Sequence, residues 1–232
     1  MMKEITTITF FNFLKNKFWA FTQMGIAPSK LKQNKSLKFF RLMGTGGGNG
    51  FGLWPDFNTY AFLGVWDSQK SADDFMCSNP VIQNYFQKSA THRTIKMLPV
   101  KSHGFWSGQN PFKEQNSRTY NFGLTVAVIT RATVRPSRLF AFWKAVPSAS
   151  SAIENAEGVQ YFKGIGEWPF VQQATLSIWN SVEDVKKFAY KNRTHSNIIK
   201  KTRDQKWYSE YLFARFHVLS DTGFINNITS RK

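Results

Sequence analysis

The chain has 232 residues, 31 of them Lys or Arg against 14 Asp or Glu, for a formal net charge of +17. That length suits one large domain or two small ones with a sizeable core, and an aromatic share of 16% excludes a disordered chain. A single cysteine, Cys77, excludes an intrachain disulfide framework and a cysteine-rich zinc site, and it points to a reducing cytoplasm.

From the N-terminus, "TTITFFNF" (6–13) alternates as a strand does, and "LKNKFWAFTQMGI" (14–26) reads as a helix. This start lacks the long apolar region and small-residue cleavage site of a signal peptide. Nowhere does an uncharged apolar run reach the roughly 18 residues of a membrane span. "SLKFFRLMG" (36–44) and "TYAFLGVW" (59–66) are strands on either side of "GTGGGNGFG" (44–52). The glycines miss the G-x-G-x-x-G spacing in every register, and no lysine lies between Lys38 and Lys70 to complete a phosphate loop. The stretch therefore reads as a hairpin connection that lets backbone approach a ligand closely, with no role for nucleotide phosphate. A helix over 70–90 and a strand "HRTIKMLPV" (92–100) complete the first half.

"SGQNPFKEQNSR" (107–118) is a polar linker, and after it the order recurs. "YNFGLTVAVITRA" (120–132) is a strand and "SRLFAFWKAVPSASSAIE" (137–154) a helix, which Pro147 is expected to break or kink. "VQYFKGIG" and "QATLSIW" form a hairpin, 182–208 a long helix, and "EYLFARFHVLS" (210–220) the final strand. The recurrence is also textual. Trp66-Asp67-Ser68 matches Trp179-Asn180-Ser181 at an offset of 113, while "FWAF" (18–21) faces "FAFW" (140–143) and Gly44 faces Gly166 at 122. The nine-residue difference falls in the glycine-rich connection of the first half. The expected fold is thus α+β: two ferredoxin-like βαββαβ units, 1–106 and 119–232 around the linker, closing as a pseudo-dimeric α+β barrel.

Chemistry-bearing residues are few. No HExxH, GxSxG or paired-glutamate pattern occurs, which argues against hydrolytic chemistry. His92 begins a strand and His103 precedes "GFWSG" in a loop. His217 shares a strand face with Phe213 and Arg215. His195 falls on the same helical flank as Phe188 and Ile199, which turns an imidazole toward the apolar side. Arg203 lies two turns further on, and Trp207 a turn beyond that. A core histidine satisfied by a carbonyl is the plainer account of the same pattern. The positive charge fits nucleic acid, an anionic membrane surface, or simply a solvated exterior. No nucleic-acid motif is present, so no specific nucleic acid is expected.

Five stretches together, "FFRLMGTGGGNGFGLWPDFNTYAFLGVW", "HGFWSGQNPF", "AFWKAVP", "YFKGIGEWPFVQQATLSIW" and "AYKNRTHSNIIKKTRDQKWYSEYLFARF", resemble the spheroidene monooxygenase family, from about Phe10 to Gly223. The resemblance implies a haem b enzyme, related to dimeric α+β barrel haem proteins, that oxygenates acyclic carotenoids to keto products with dioxygen and an electron donor. In that frame His195 is the expected axial ligand, on the helix argument, with His103 and His217 as competitors. Arg203 and Arg215 are expected beside the propionates, and Phe188, Ile199 and Trp207 in the pocket wall. Gly46, Gly47, Gly48 and Phe51 are expected against the apolar substrate. A basic exterior also suits peripheral association with the inner face of a membrane. Two other readings stay open: a haem protein of different chemistry, such as aldoxime dehydration or haem handling, and a basic nucleic-acid module.

Overall fold

The computed structural model describes residues 4–48, 54–115, 125–191, 202 and 204–225. The first half runs β1 (Ile5–Asn12), α1 (Lys17–Leu31), β2 (Leu37–Gly46), β3 (Pro55–Trp66), α2 (Gln69–Ser78), α3 (Pro80–Lys88) and β4 (Thr91–Gly104). The second runs β5 (Val126–Val134), α4 (Leu139–Glu154), β6 (Val159–Gly166), β7 (Gln172–Trp179), α5 (Val182–Lys191) and β8 (Tyr208–Gly223). The eight strands close into one antiparallel barrel in the order β1-β3-β2-β6-β7-β5-β8-β4. The halves therefore share a single sheet system, each contributing its strands in the same spatial order.

Strand alternation builds two kinds of core. Ile8 and Phe10 of β1 face inward and join Met43, Leu63, Ile129, Leu176 and Phe216 in a packed barrel interior. Ile5, Phe11 and Phe13 face outward and pack with Leu31, Phe62, Trp66, Phe75 and Tyr85 beneath α1, α2 and α3. Two smaller outward clusters cover the second half: Val126, Val128, Phe162, Trp179 and Val185 in one, and Val134, Phe142, Val146 and Trp207 in the other. Trp66 and Trp179 hold matching places. The indole of Trp66 donates to Thr7 Oγ1 and that of Trp179 to Ser177 Oγ, each at 2.9 Å. Gly64 must lack a side chain because a Cβ there would lie 2.6 Å from the Trp66 ring.

Several expectations are corrected. The helix expected over 70–90 is two helices, because Asn79 ends α2 and caps α3 at once, its Oδ1 accepting from Val81 N at 3.0 Å, with Pro80 in the first turn of α3. Pro147 does not break α4, which runs through it to Glu154. β2 extends into the glycine run, to Gly46, and β4 and β8 outrun their expected lengths. The helix expected over 182–208 does not reach its end. Trp207 follows the turn at Gln205 and Lys206, and the φ of 49° at Lys206 is left-handed.

The linker is not merely a tether. Trp106 and Phe112 enter the barrel interior, Trp106 edge-on to Phe39 and Phe112 edge-on to Phe216. Around this plug Arg41 Nε lies 2.6 Å from Glu167, which also accepts from the Trp106 indole at 2.6 Å. Glu210 pairs with buried Arg131 and accepts from the backbone N–H groups of Ser107 and Gly108 at 2.9 and 2.8 Å. Gly104, at a φ of +89°, turns the chain into the plug, and a Cβ there would collide with the Tyr211 carbonyl.

Candidate active site

Strand register makes the two halves comparable residue by residue. Ile5 lies opposite Trp66 and Val126 opposite Trp179, so Thr9 corresponds to Thr130, Phe11 to Ala132, Phe62 to Thr175 and Tyr60 to Gln173. On the outer face of the first sheet three of these four positions carry large rings, and the fourth, Thr9, is completely buried. On the second they carry small or polar side chains, and Thr130 is exposed in mid-strand. Thr175 Oγ1 is buried there without a hydrogen-bond partner among the described residues. The second face is a strip where the core has been thinned, and its two apolar clusters lie apart.

Histidine and arginine reach this strip from β8 and β4. Phe213, Arg215 and His217 alternate outward along β8, opposite Thr130, Val128 and Val126 of β5. His103, on β4, lies opposite Phe213 and stacks on its ring at 5.2 Å. The His217 imidazole is held below its ordinary pKa, first by burial and then by the charge of Arg215, so it is neutral near pH 7. A neutral imidazole is the form that ligates a metal. Phe188 of α5 packs against Trp179 at 5.2 Å and joins the cluster around Val126 and Val128.

The expected residues thus sort into groups. Phe188 and Arg215 lie on the second outer face, together with the competitors His103 and His217. Trp207 is buried in the cluster around Phe142, its indole donating to Gln205 Oε1 at 2.8 Å. The glycines lie elsewhere, at the β2·β6 seam. Gly46 pairs with Pro55, Gly47 N donates to the Trp54 carbonyl at 2.9 Å, and the Gly48 carbonyl accepts from Lys163 Nζ at 2.9 Å. Burial lowers the Lys163 pKa, and Asp56 opposes that shift. His195, Ile199, Arg203 and Phe51 lie outside the described residues.

Among the described residues no group of three or more His, Cys, Asp or Glu could hold a metal ion. A haem asks less of the protein: one axial donor, an apolar slot and cations for its propionates. Of such groups, the phenyl ring of Phe188 and the guanidinium of Arg215 lie at the second outer face, with His217 as the imidazole beside them. Sequence reading missed the Arg41–Glu167 and Arg131–Glu210 cluster with Trp106, whose members come from three strands and two loops far apart in the chain. Its charges are mutually paired and close the barrel end.

An antiparallel closed barrel flanked by helices defines an α+β barrel protein. Two aldoxime dehydratase structures share the fold. One, in complex with butyraldoxime, superposes with a TM-score of 0.58 at 9% identity over 93% of this chain and 79% of that one. The other gives 0.57 at 7% identity over 94% and 82%. No protein-family model matches the chain.

Sequence comparison goes further. The chain is 30% identical over 205 residues to the spheroidene monooxygenase of Rhodobacter capsulatus, covering 88% of this chain and 85% of that protein. It is 29% identical to that of Rubrivivax gelatinosus, over 89% and 78%. The chain belongs to the spheroidene monooxygenase family, and its homologues make it an oxidoreductase of the monooxygenase type. Among the described residues no helix is long and apolar enough to cross a membrane.

Proposed function

We propose that the chain is a haem b-dependent monooxygenase acting on an acyclic carotenoid or a similarly long apolar molecule. The observation that carries the haem reading is the thinning of one sheet face in a fold whose halves repeat the same strand order, where Ala132, Gln173 and Thr175 stand in place of Phe11, Tyr60 and Phe62. Family membership supports the substrate class. We also infer that the halves are tandem ferredoxin-like units, supported by their common βαββαβ order and strand arrangement.

When bound, haem would supply the activation of dioxygen. His195 would hold the iron, with Ile199 and Arg203 beside it on the helical spacing of the sequence. Phe188 would pack against the bound group, Arg215 would neutralise a propionate, and apolar side chains around it would exclude water from the substrate. An external donor must supply electrons, since one oxygen atom enters a C–H bond of the substrate and the other leaves as water. The glycine backbone of Gly46–Gly48 is the proposed close approach for the polyene.

The test is haem titration of the purified protein, followed by Soret absorbance. We expect stoichiometric uptake, lost in His195→Ala and restored by added imidazole, with circular dichroism unchanged. Loss in His103→Ala or His217→Ala instead would move the ligand, and no uptake by the parent protein would end the haem reading. Turnover of spheroidene rather than butyraldoxime then separates oxygenation from aldoxime dehydration.

A further inference from the structure

The internal repeat preserves something that packing does not require. Phe18 and Phe140 occupy matching places, 122 residues apart, near the starts of α1 and α4, and they are 80% and 85% exposed. One turn on, Phe21 and Trp143 match as well. Each reaches across to an aromatic from the neighbouring hairpin. Phe21 meets Phe57 edge-on at 6.2 Å, and Trp143 meets Phe170 edge-on at 5.9 Å. Phe57 and Phe170 are again counterparts, at the second offset of 113. Exposed Trp54 and Trp168 extend the two sets. Because β2 pairs with β6 at Gly44–Gly166, the two hairpins lie on either side of one seam of the barrel.

Charge accompanies the aromatics. Between Glu4 and Asp56 the chain has no acidic residue and seven basic ones: Lys15, Lys17, Lys30, Lys32, Lys35, Lys38 and Arg41. The first five are exposed. Beside the second set, Arg135, Arg138 and Lys144 are exposed. Exposed rings on a basic field are what an anionic bilayer surface selects, since rings insert at headgroup depth while cations meet the lipid charge. A protein partner would bury the rings without needing so one-sided a charge.

We propose that the aromatic sets flanking the β2·β6 seam dock this protein on an anionic lipid bilayer, with Phe18, Phe21, Trp54 and Phe57 as the principal anchor. The inference deepens the functional reading, because a carotenoid-like substrate would be collected from the same bilayer. Its test needs no haem and no turnover, so the two can fail separately.

The experiment is co-sedimentation of the full chain with vesicles of phosphatidylglycerol and phosphatidylcholine, and with phosphatidylcholine alone. We expect binding to the anionic vesicles only, with a blue-shifted tryptophan emission that brominated lipid quenches. Phe18→Ser combined with Phe57→Ser should weaken binding by about tenfold or more without changing the melting temperature, and Phe140→Ser with Trp168→Ser by less. Lys15→Gln with Lys17→Gln, the exposed lysines next to Phe18, should reduce binding and its salt dependence together. Failure to bind overturns the proposal. So does binding that is untouched by the aromatic substitutions, which would mark diffuse electrostatic adsorption. A dimer in gel filtration that the Phe18→Ser, Phe57→Ser variant converts to a monomer would show a second copy as the occupant and also overturn it.

Discussion

The two outer faces of the barrel start from the same plan and end differently. Beneath α1, α2 and α3 the first face is filled by Phe11, Phe13, Tyr60, Phe62, Trp66 and Phe75, with Phe62 and Phe75 stacked at 6.0 Å. The second keeps the tryptophan but has Ala132, Val134, Gln173 and Thr175 where the first has Phe11, Phe13, Tyr60 and Phe62. Both halves build the barrel interior, but only the first has a large ring cluster beneath its helices. The two outer faces thus differ in packing density, so substitutions of like chemistry should have unlike consequences.

The largest expected contrast is between the two tryptophans. Trp66→Ala removes a fully buried ring from the dense face and should cost about 4 kcal/mol, while Trp179→Ala, in the smaller cluster, should cost about half as much. Urea unfolding measures both, and equal costs would break the comparison. The next contrast concerns the matched threonines. Thr9→Phe forces a ring into a site with no room and should cost about 3 kcal/mol. Thr130→Phe should change stability by less than about 0.5 kcal/mol. It should nonetheless abolish haem uptake followed at the Soret band, because the ring occupies the proposed slot.

The smallest effect is a pH dependence. His217 stands where the first half has Leu98, judged from their partners Val126 and, by continuation of the ladder, Ile5. Its folded pKa lies below the unfolded value of about 6.5, so the unfolded chain binds the proton more tightly. The stability it contributes is present above pH 6.5 and is lost as pH falls from there through the folded pKa. His217→Leu should flatten that slope in thermal melts recorded between pH 5 and 8, and an unchanged slope would assign it to other groups.

Much of the fold was legible because duplication wrote it twice. The Trp66 and Trp179 motifs and the shared glycines fixed the correspondence of the halves, and strand alternation separated inward from outward residues. The break at Asn79–Pro80 was legible too, as a capping residue followed by proline, but the apolar pattern ran across it. The barrel-end cluster was not legible. Arg41, Arg131, Glu167 and Glu210 meet only after closure brings strands from both halves together, and no spacing along the chain records that. Trp106 was read only as part of the loop "GFWSG" that ends the first unit; the glycines flanking it, Gly104 and Gly108 at positive φ, were the available sign of a tight turn. The thinning of the second face was not legible either, because it required knowing which residues lie opposite which.

The barrel closes through two unequal seams. β4 and β8 pair from Arg93 opposite Gly223 to Gly104 opposite Leu212, clasped by the bidentate Arg93–Asp221 pair at 2.9 and 2.7 Å. β2 and β6 pair, among the described residues, only at Gly44–Gly166 and Thr45–Ile165. Both seams join residues more than a hundred positions apart, so each carries a heavy loop-closure entropy and forms late in folding. The long seam repays that entropy with many ladder bonds, and the short one does not. The molecule should therefore breathe at one side, as a cylinder hinged along its long seam. Native-state hydrogen exchange would show it: the amides of Thr45 and Ile165 should exchange through a low-energy opening that leaves Met97 and Phe216 protected until the whole chain unfolds.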